Sequence, residues 1–302
     1  MTDAPERIAA GTRIDYVDVF AERALEGNAL AVLSVDTMPS SALRQAVARE
    51  TNLAETTFVS LRANPDGSWP VRIHTPGDEL PFAGHPVLGT AWIVRERVLA
   101  STAVDEQAPI VLATGKGPVP VRFDGRGAGA RAWLTSPDVS TAPLDDVPAW
   151  CHALSPESEG GLALDSARFA PVLADVGPKF ALLAVPDRET LAALAPDAGR
   201  LVPLLADVAA TGVLLVAPAR PGEADLAARM FFDAGGLRED PATGSANACL
   251  AAVLRAGGAT GVVEVVPGVE MLRPSRLHLR IEADRIEVGG AVFPVHGGTF
   301  SD

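Results

Sequence analysis

The chain has 302 residues and carries 25 Lys and Arg against 38 Asp and Glu, a formal charge of −13 that opposes phosphate backbones and argues against a nucleic-acid partner. Hydrophobic residues make up 48% and charged residues 21%, a composition that supports a substantial core in one large domain or two of about 150 residues. The two cysteines, Cys151 and Cys249, are too few for a disulfide framework and lack zinc-ligand spacing, so no metal site is expected. The opening Met1-Thr2-Asp3-Ala4-Pro5-Glu6 has neither the basic nor the apolar region of a signal peptide. The apolar stretch from Leu201 to Ala219 is broken by Pro203, Asp207 and Gly212, so it reads as helix, turn and strand and not as a membrane span. A cytoplasmic protein without a membrane partner is expected.

Taken in chain order, Arg13 to Phe20 alternates polar and apolar side chains as a half-buried strand does, and Ala29 to Leu33 reads as the next strand after the turn Glu26-Gly27-Asn28. Ser40 to Arg49 has helical spacing and a serine cap. Strands are expected at Thr57 to Leu61 and Val71 to His74, around the turn Asn64-Pro65-Asp66-Gly67. An apolar helix, Val87 to Leu99, follows Gly84-His85-Pro86, where Pro86 suits a first helical turn. Further strands are expected at 131–134, 180–185, 213–216, 226–231, 277–281, 285–288 and 291–295. Helices are expected at 188–194, 200–209 and 246–254, the last after Asp240-Pro241-Ala242-Thr243-Gly244-Ser245. The glycine-rich run Asp124 to Gly129 is the best linker candidate, dividing a lobe at 1–128 from one at 129–289, with 290–302 a candidate addition to the first.

Pro81, Gly84, Ala91 and Arg95 recur 160 positions later as Pro241, Gly244, Ala251 and Arg255, through either duplication or two similar helix starts. A helix apolar on nearly all sides must be wrapped by other structure, which points to two β-rolls, each around a central helix. A helix start presents unpaired N–H groups and positive dipole character, a ready site for a small carboxylate.

Three residues near these starts carry candidate chemistry. Glu55 stands at a helix-to-strand transition among apolar neighbours, where loss of water makes a carboxyl a better proton carrier; the ordinary alternative is a solvated turn glutamate. His85, fixed between Gly84 and Pro86, is able to donate a hydrogen bond or move a proton, or simply to cap and pack. Asp240 either caps the turn through Thr243 or Gly244 or contacts a substrate. His74, in the alternating strand, reads as structural. The glycines of 240–245 and Gly115-Lys116-Gly117 lack the spacing of a phosphate loop.

Together the words Glu55-Thr56-Thr57-Phe58, Leu80-Pro81-Phe82-Ala83-Gly84-His85-Pro86 and Glu239-Asp240-Pro241-Ala242-Thr243-Gly244-Ser245-Ala246 resemble the PhzF family of phenazine-biosynthesis isomerases, in the same order. Asp18-Val19-Phe20, Leu25-Glu26-Gly27-Asn28 and Arg273-Pro274-Ser275 extend the resemblance, which is weakest from Gly125 to Ala210. It implies an α+β fold of the diaminopimelate-epimerase type, two β-roll lobes around central helices with the active-site cleft between them. It implies Glu55, His85 and Asp240 as catalytic residues and Gly84, Gly244 and Ser245 as substrate-binding ones. It also implies a homodimer and no cofactor. The reaction it implies moves a proton between carbons of a small cyclic or unsaturated carboxylic acid such as dihydro-hydroxyanthranilate. An epimerase pairing Glu55 with Asp240 or His85, and a non-catalytic small-acid binding protein, are the competing expectations. The amino-acid racemases of this fold use a thiol at each helix start, which Ala83-Gly84-His85 and Pro241-Ala242-Thr243 do not supply; Cys249 is expected in the core.

Overall fold

The computed structural model describes residues 6–100, 108–158 and 161–301. The chain forms two compact units, one of Met1–Leu134 with Gly289–Asp302, the other of Thr135–Val288. No helix among the described residues is long and apolar enough to cross a membrane.

In the first unit, β1 (Arg13–Val19) lies between β2 (Asn28–Val35) and β17 (Ile286–Thr299), antiparallel to both. The helix α1 (Ser41–Thr51) carries the chain from β2 to β3 (Glu55–Ser60), so these two strands run parallel, with Leu30 opposite Glu55. Ser40 caps α1 by accepting from Leu43 N–H, and Asn52 ends it in a left-handed conformation that short polar side chains tolerate. Antiparallel neighbours β4 (Trp69–His74) and β5 (Glu79–Leu80) follow, then α2 (Gly84–Ile93), whose end widens into a π-turn over Val94–Val98. The hairpin of β6 (Ile110–Thr114) and β7 (Gly117–Asp124) adds to β4, and β8 (Arg131–Thr135) pairs with β7.

Every residue of α2 from His85 to Ile93 is buried, and the helix packs on β1, β2, β3, β6 and β7. It is therefore the central helix of this roll. Gly89 shows how closely it is held: a Cβ there would come 2.6 Å from Leu30 Cδ2 and 2.9 Å from Val19 Cγ2.

The expected linker is a correction. Asp124 to Gly129 closes the β7–β8 turn inside the first unit, with positive φ at Gly125, Gly127 and Gly129. Its backbone is tied down: Trp92 Nε1 donates to Gly127 O at 3.0 Å and Arg95 Nη1 to Gly125 O at 3.0 Å. Glycine enrichment here serves turn geometry, a demand that composition alone cannot separate from linker flexibility.

In the second unit, β9 (Ser140–Pro143), β10 (Val172–Asp175), β11 (Lys179–Ala184), β12 (Gly212–Pro218) and β13 (Leu226–Asp233) are successive neighbours. On its other edge β13 pairs with β14 (Leu237–Asp240) at one end and β15 (Gly261–Pro267) at the other, and β15 pairs with β16 (Leu277–Ile281). The apolar α6 (Gly244–Ala256) is buried from Ala246 to Ala252 and packs on β11 and β16. Its alanines let those strands approach closely. A second apolar cluster gathers around Trp150, formed by α3 (Val147–Leu154), α4 (Arg188–Ala192), α5 (Ala198–Asp207) and strands of the unit. The stretch from Leu201 to Ala219 is indeed helix, turn and strand, and the two expected strands at 285–295 are one, β17. The fold is α+β, a β-roll of the diaminopimelate-epimerase type in each unit.

Candidate active site

Alternation along β3 sets the direction of Glu55. Phe58 packs with Leu33, Val35 and Val47 on the α1 side, and Thr56 bonds Thr51 on the same side. Glu55 and Thr57 therefore point the other way, toward α2. There Glu55 Oε2 lies 3.3 Å from His85 Nε2, with side-chain exposures of 16% and 7%. Two of the expected residues are thus in contact. Burial pushes His85 down to about 3, so its imidazole is neutral at physiological pH. The contact is that of a neutral imidazole with a carboxyl group, not an ion pair. A charged imidazolium would hold the carboxylate anionic and make it a poorer base; a neutral ring leaves the carboxyl free to exchange a proton.

Gly84 and His85 are the first two residues of α2, after Ala83, whose side chain has no oxygen to cap the helix. The loop before them is positioned from two sides. Gly115, in the tight turn between β6 and β7, lies against Pro81: a Cβ there would be 2.8 Å from Pro81 Cα. The glycines flanking Lys116 thus serve close backbone approach and a turn.

The second anchor is a buried polar network that the sequence did not reveal beyond marking His74 as structural. His74, fully buried, accepts from Arg44 Nε at 3.0 Å through Nε2, so its Nδ1 carries the proton and donates to Gln45 Oε1 at 3.0 Å. Arg44 also donates to Glu79 Oε2 at 2.9 Å and to Pro39 O at 2.5 Å. Burial, reinforced by the Arg44 and Arg72 charges, lowers His74 below the ordinary range despite Glu79. Burial raises Glu79, but Arg44's hydrogen bond and charge outweigh it and hold the carboxyl below its usual value. Glu79 lies opposite His74 on β5, six residues before His85.

The other expected residues lie in the second unit. Asp240 ends β14, and Gly244 and Ser245 open α6. Thr243, at the N-cap, donates its hydroxyl to Asp240 Oδ2 instead of capping the helix. Asp240 accepts from Thr243 as expected, but from its hydroxyl and not from its backbone N–H. Gly268, at φ +77°, brings the following loop against Pro241, and Arg273 N–H and Ser275 N–H close that loop on Gly268 O and Pro267 O. Buried Arg188 pairs with Glu270 in the same loop. The Arg273-Pro274-Ser275 motif thus braces the approach to α6.

Cys249 is fully buried one turn further into α6, and burial, with a contribution from Asp175, pushes its thiol up to about 12. It is a core residue and stays protonated.

The family model described as phenazine biosynthesis-like protein matches residues 17–298. The chain belongs to the PhzF family. Similar proteins include the trans-2,3-dihydro-3-hydroxyanthranilate isomerase of Pseudomonas aeruginosa, 33% identical over 294 residues, which are 96% of this chain and 98% of that one. The enzyme of the same name from Pseudomonas fluorescens is 33% identical over 91% of this chain and 94% of its own. Among solved structures, a predicted epimerase from Pseudomonas aeruginosa superposes with a TM-score of 0.79 at 29% identity, covering 96% of this chain and 99% of that chain. A hydroxyproline epimerase from Agrobacterium vitis, at 14% identity, TM-score 0.61 and coverage of 96% and 93%, shares the fold. PhzF membership accounts for the motif order, including Asp18 to Phe20, Leu25 to Asn28 and Arg273 to Ser275.

Proposed function

We propose that this PhzF-family chain is an isomerase that moves a proton between two carbons of trans-2,3-dihydro-3-hydroxyanthranilate or a closely similar cyclic amino acid. The observation that carries the reading is the Glu55–His85 contact at an apolar-walled helix start; the names of the relatives supply the substrate class. Glu55 is assigned as the proton carrier. Its carboxylate takes a proton from one ring carbon, the electron pair of the broken C–H bond enters the ring π-system, and the same proton is returned to another carbon. A single group serves both steps, so no net proton is gained or lost. His85, packed against the Glu55 carboxyl at 3.3 Å, keeps water from it and stays neutral through the cycle.

Gly84 N–H and His85 N–H at the start of α2 suit a carboxylate through their partial positive charge. Asp240, Gly244 and Ser245 are assigned to the same reaction, Asp240 to a polar group of the substrate and the start of α6 to its negative charge. A homodimer in the cytoplasm and a reaction without cofactor complete the proposal; size-exclusion chromatography with light scattering tests the first.

The reading is tested by proton NMR of trans-2,3-dihydro-3-hydroxyanthranilate in deuterated buffer with wild type and Glu55→Gln. Conversion by wild type alone supports it. Deuterium entering at one stereocentre with inversion and no bond shift would instead identify an epimerase, and binding without any exchange a small-acid carrier.

A further inference from the structure

We propose that Thr57 and Thr90 are positioning residues for the Glu55–His85 pair, fixing α2 on β3 so that the carboxyl and the imidazole meet. This rests on the reading of Glu55 and His85 as the reacting and supporting groups. Thr57 Oγ1 and Thr90 Oγ1 are 2.8 Å apart, and both residues are fully buried. Thr57 is the next residue after Glu55 on the α2-facing side of β3, and Thr90 lies five residues beyond His85. Two strand residues span about 6.6 Å and five helical residues about 7.5 Å, so the two contacts are successive rungs between strand and helix. Five residues also turn about 140° around the helix axis, so the rungs do not lie along one line of the helix surface. Together they set both the height and the rotation of α2.

Apart from Trp92 Nε1, which donates to Gly127 O on the β7–β8 turn and not to β3, the remaining packing of α2 does not supply this. Its contacts through Gly89 with Val17, Val19 and Leu30 are apolar, and such contacts do not fix direction. Valine would fill nearly the same volume as threonine at either position without removing a hydroxyl from water. The hydroxyl pair therefore adds direction to an otherwise greasy seam. Removing one hydroxyl leaves its partner buried and unsatisfied, whereas replacing both with valine restores an apolar contact of the same shape. Stability and positioning can accordingly be separated.

The experiment compares wild type, Thr57→Val, Thr90→Val, the double variant, and Thr57→Ser/Thr90→Ser. Urea midpoints are expected to fall in each single valine variant and to recover in the double variant. Turnover of trans-2,3-dihydro-3-hydroxyanthranilate is expected to stay low in the double variant, with kcat reduced about ten- to a hundredfold and KM little changed, and to return with the serines. In parallel, the His85 imidazole signal is followed by NMR with and without Glu55→Gln. That substitution is expected to shift the signal in the wild-type background and to shift it far less in the double-valine background. Wild-type kcat in the double-valine variant, or an undiminished His85 response to Glu55→Gln, overturns the proposal. If wild type itself leaves the substrate unchanged, the substrate assignment fails, and the imidazole response alone decides the positioning role.

Discussion

His85 gives the most quantitative prediction. Its pKa falls from 6.5 to about 3 because the folded protein withdraws the ring from water. As pH drops below 6.5, the unfolded chain takes up this proton and the folded chain does not. The stability His85 confers is therefore complete above pH 6.5 and is lost as pH falls toward 3, at up to about 1.4 kcal/mol per pH unit. Between pH 7.5 and pH 5 the term amounts to about 2 kcal/mol. His85→Asn removes it, so the variant is expected to lose about 2 kcal/mol less than wild type over that interval, whatever its stability at pH 7.5. His74, whose pKa is also lowered, contributes its own slope to both proteins and cancels in the difference. Urea unfolding followed by tryptophan fluorescence at the two pH values measures the term. NMR adds a direct view: of five imidazole signals, the one missing from His85→Asn should show no titration above pH 5. Equal pH slopes in the two proteins, or a His85 midpoint at or above 6.5, would refute the reasoning. They would mean that Glu55, 3.3 Å away, outweighs desolvation and that the contact is an ion pair.

Gly89→Ala should lower stability by about 1–3 kcal/mol in thermal unfolding, because the clash with Leu30 and Val19 exceeds the helix-propensity gain of about 1 kcal/mol. Arg229 donates to both oxygens of Glu239 at 2.9 Å and to Leu194 O at 2.9 Å while 8% exposed; Arg229→Met should cost about 3–5 kcal/mol in urea unfolding by leaving a partly buried carboxylate without its cation. Cys249 should resist thiol reagents in the native protein while partly buried Cys151 reacts first, as mass spectrometry after brief labelling would show. Gly115→Ala should reduce kcat by displacing Pro81 and the loop before His85, an effect read against an unchanged far-ultraviolet spectrum.

Much of this was written locally. The apolar runs of α2 and α6, with Pro and Gly before them, announced both central helices, and alternation announced β1. Glu55 and His85 were legible as words, but the 3.3 Å between them was not, because it depends on Thr57 and Thr90 aligning a strand and a helix 33 residues apart in sequence. The His74 network was hidden for the same reason: Arg44, His74 and Glu79 come from three elements, and no spacing joins them. Asp124 to Gly129 misled because glycine supports positive φ in a tight turn as readily as it supports flexibility. The helix Val147–Leu154 escaped the sequence because its eight residues make only about two turns, too short for a helical pattern to repeat.

One feature of the topology bears on how the protein is made. The strand β1 is completed by β17, with Arg13 opposite Thr299 and Val19 opposite Val292. No part of the chain ending before Gly289 contains the whole first unit, although most of that unit emerges from the ribosome first. The second unit, continuous from Thr135 to Val288, has all its strands available earlier. The unit begun first is thus the last to have all its strands, and until β17 is made one side of β1 lacks its partner, an edge open to wrong pairing.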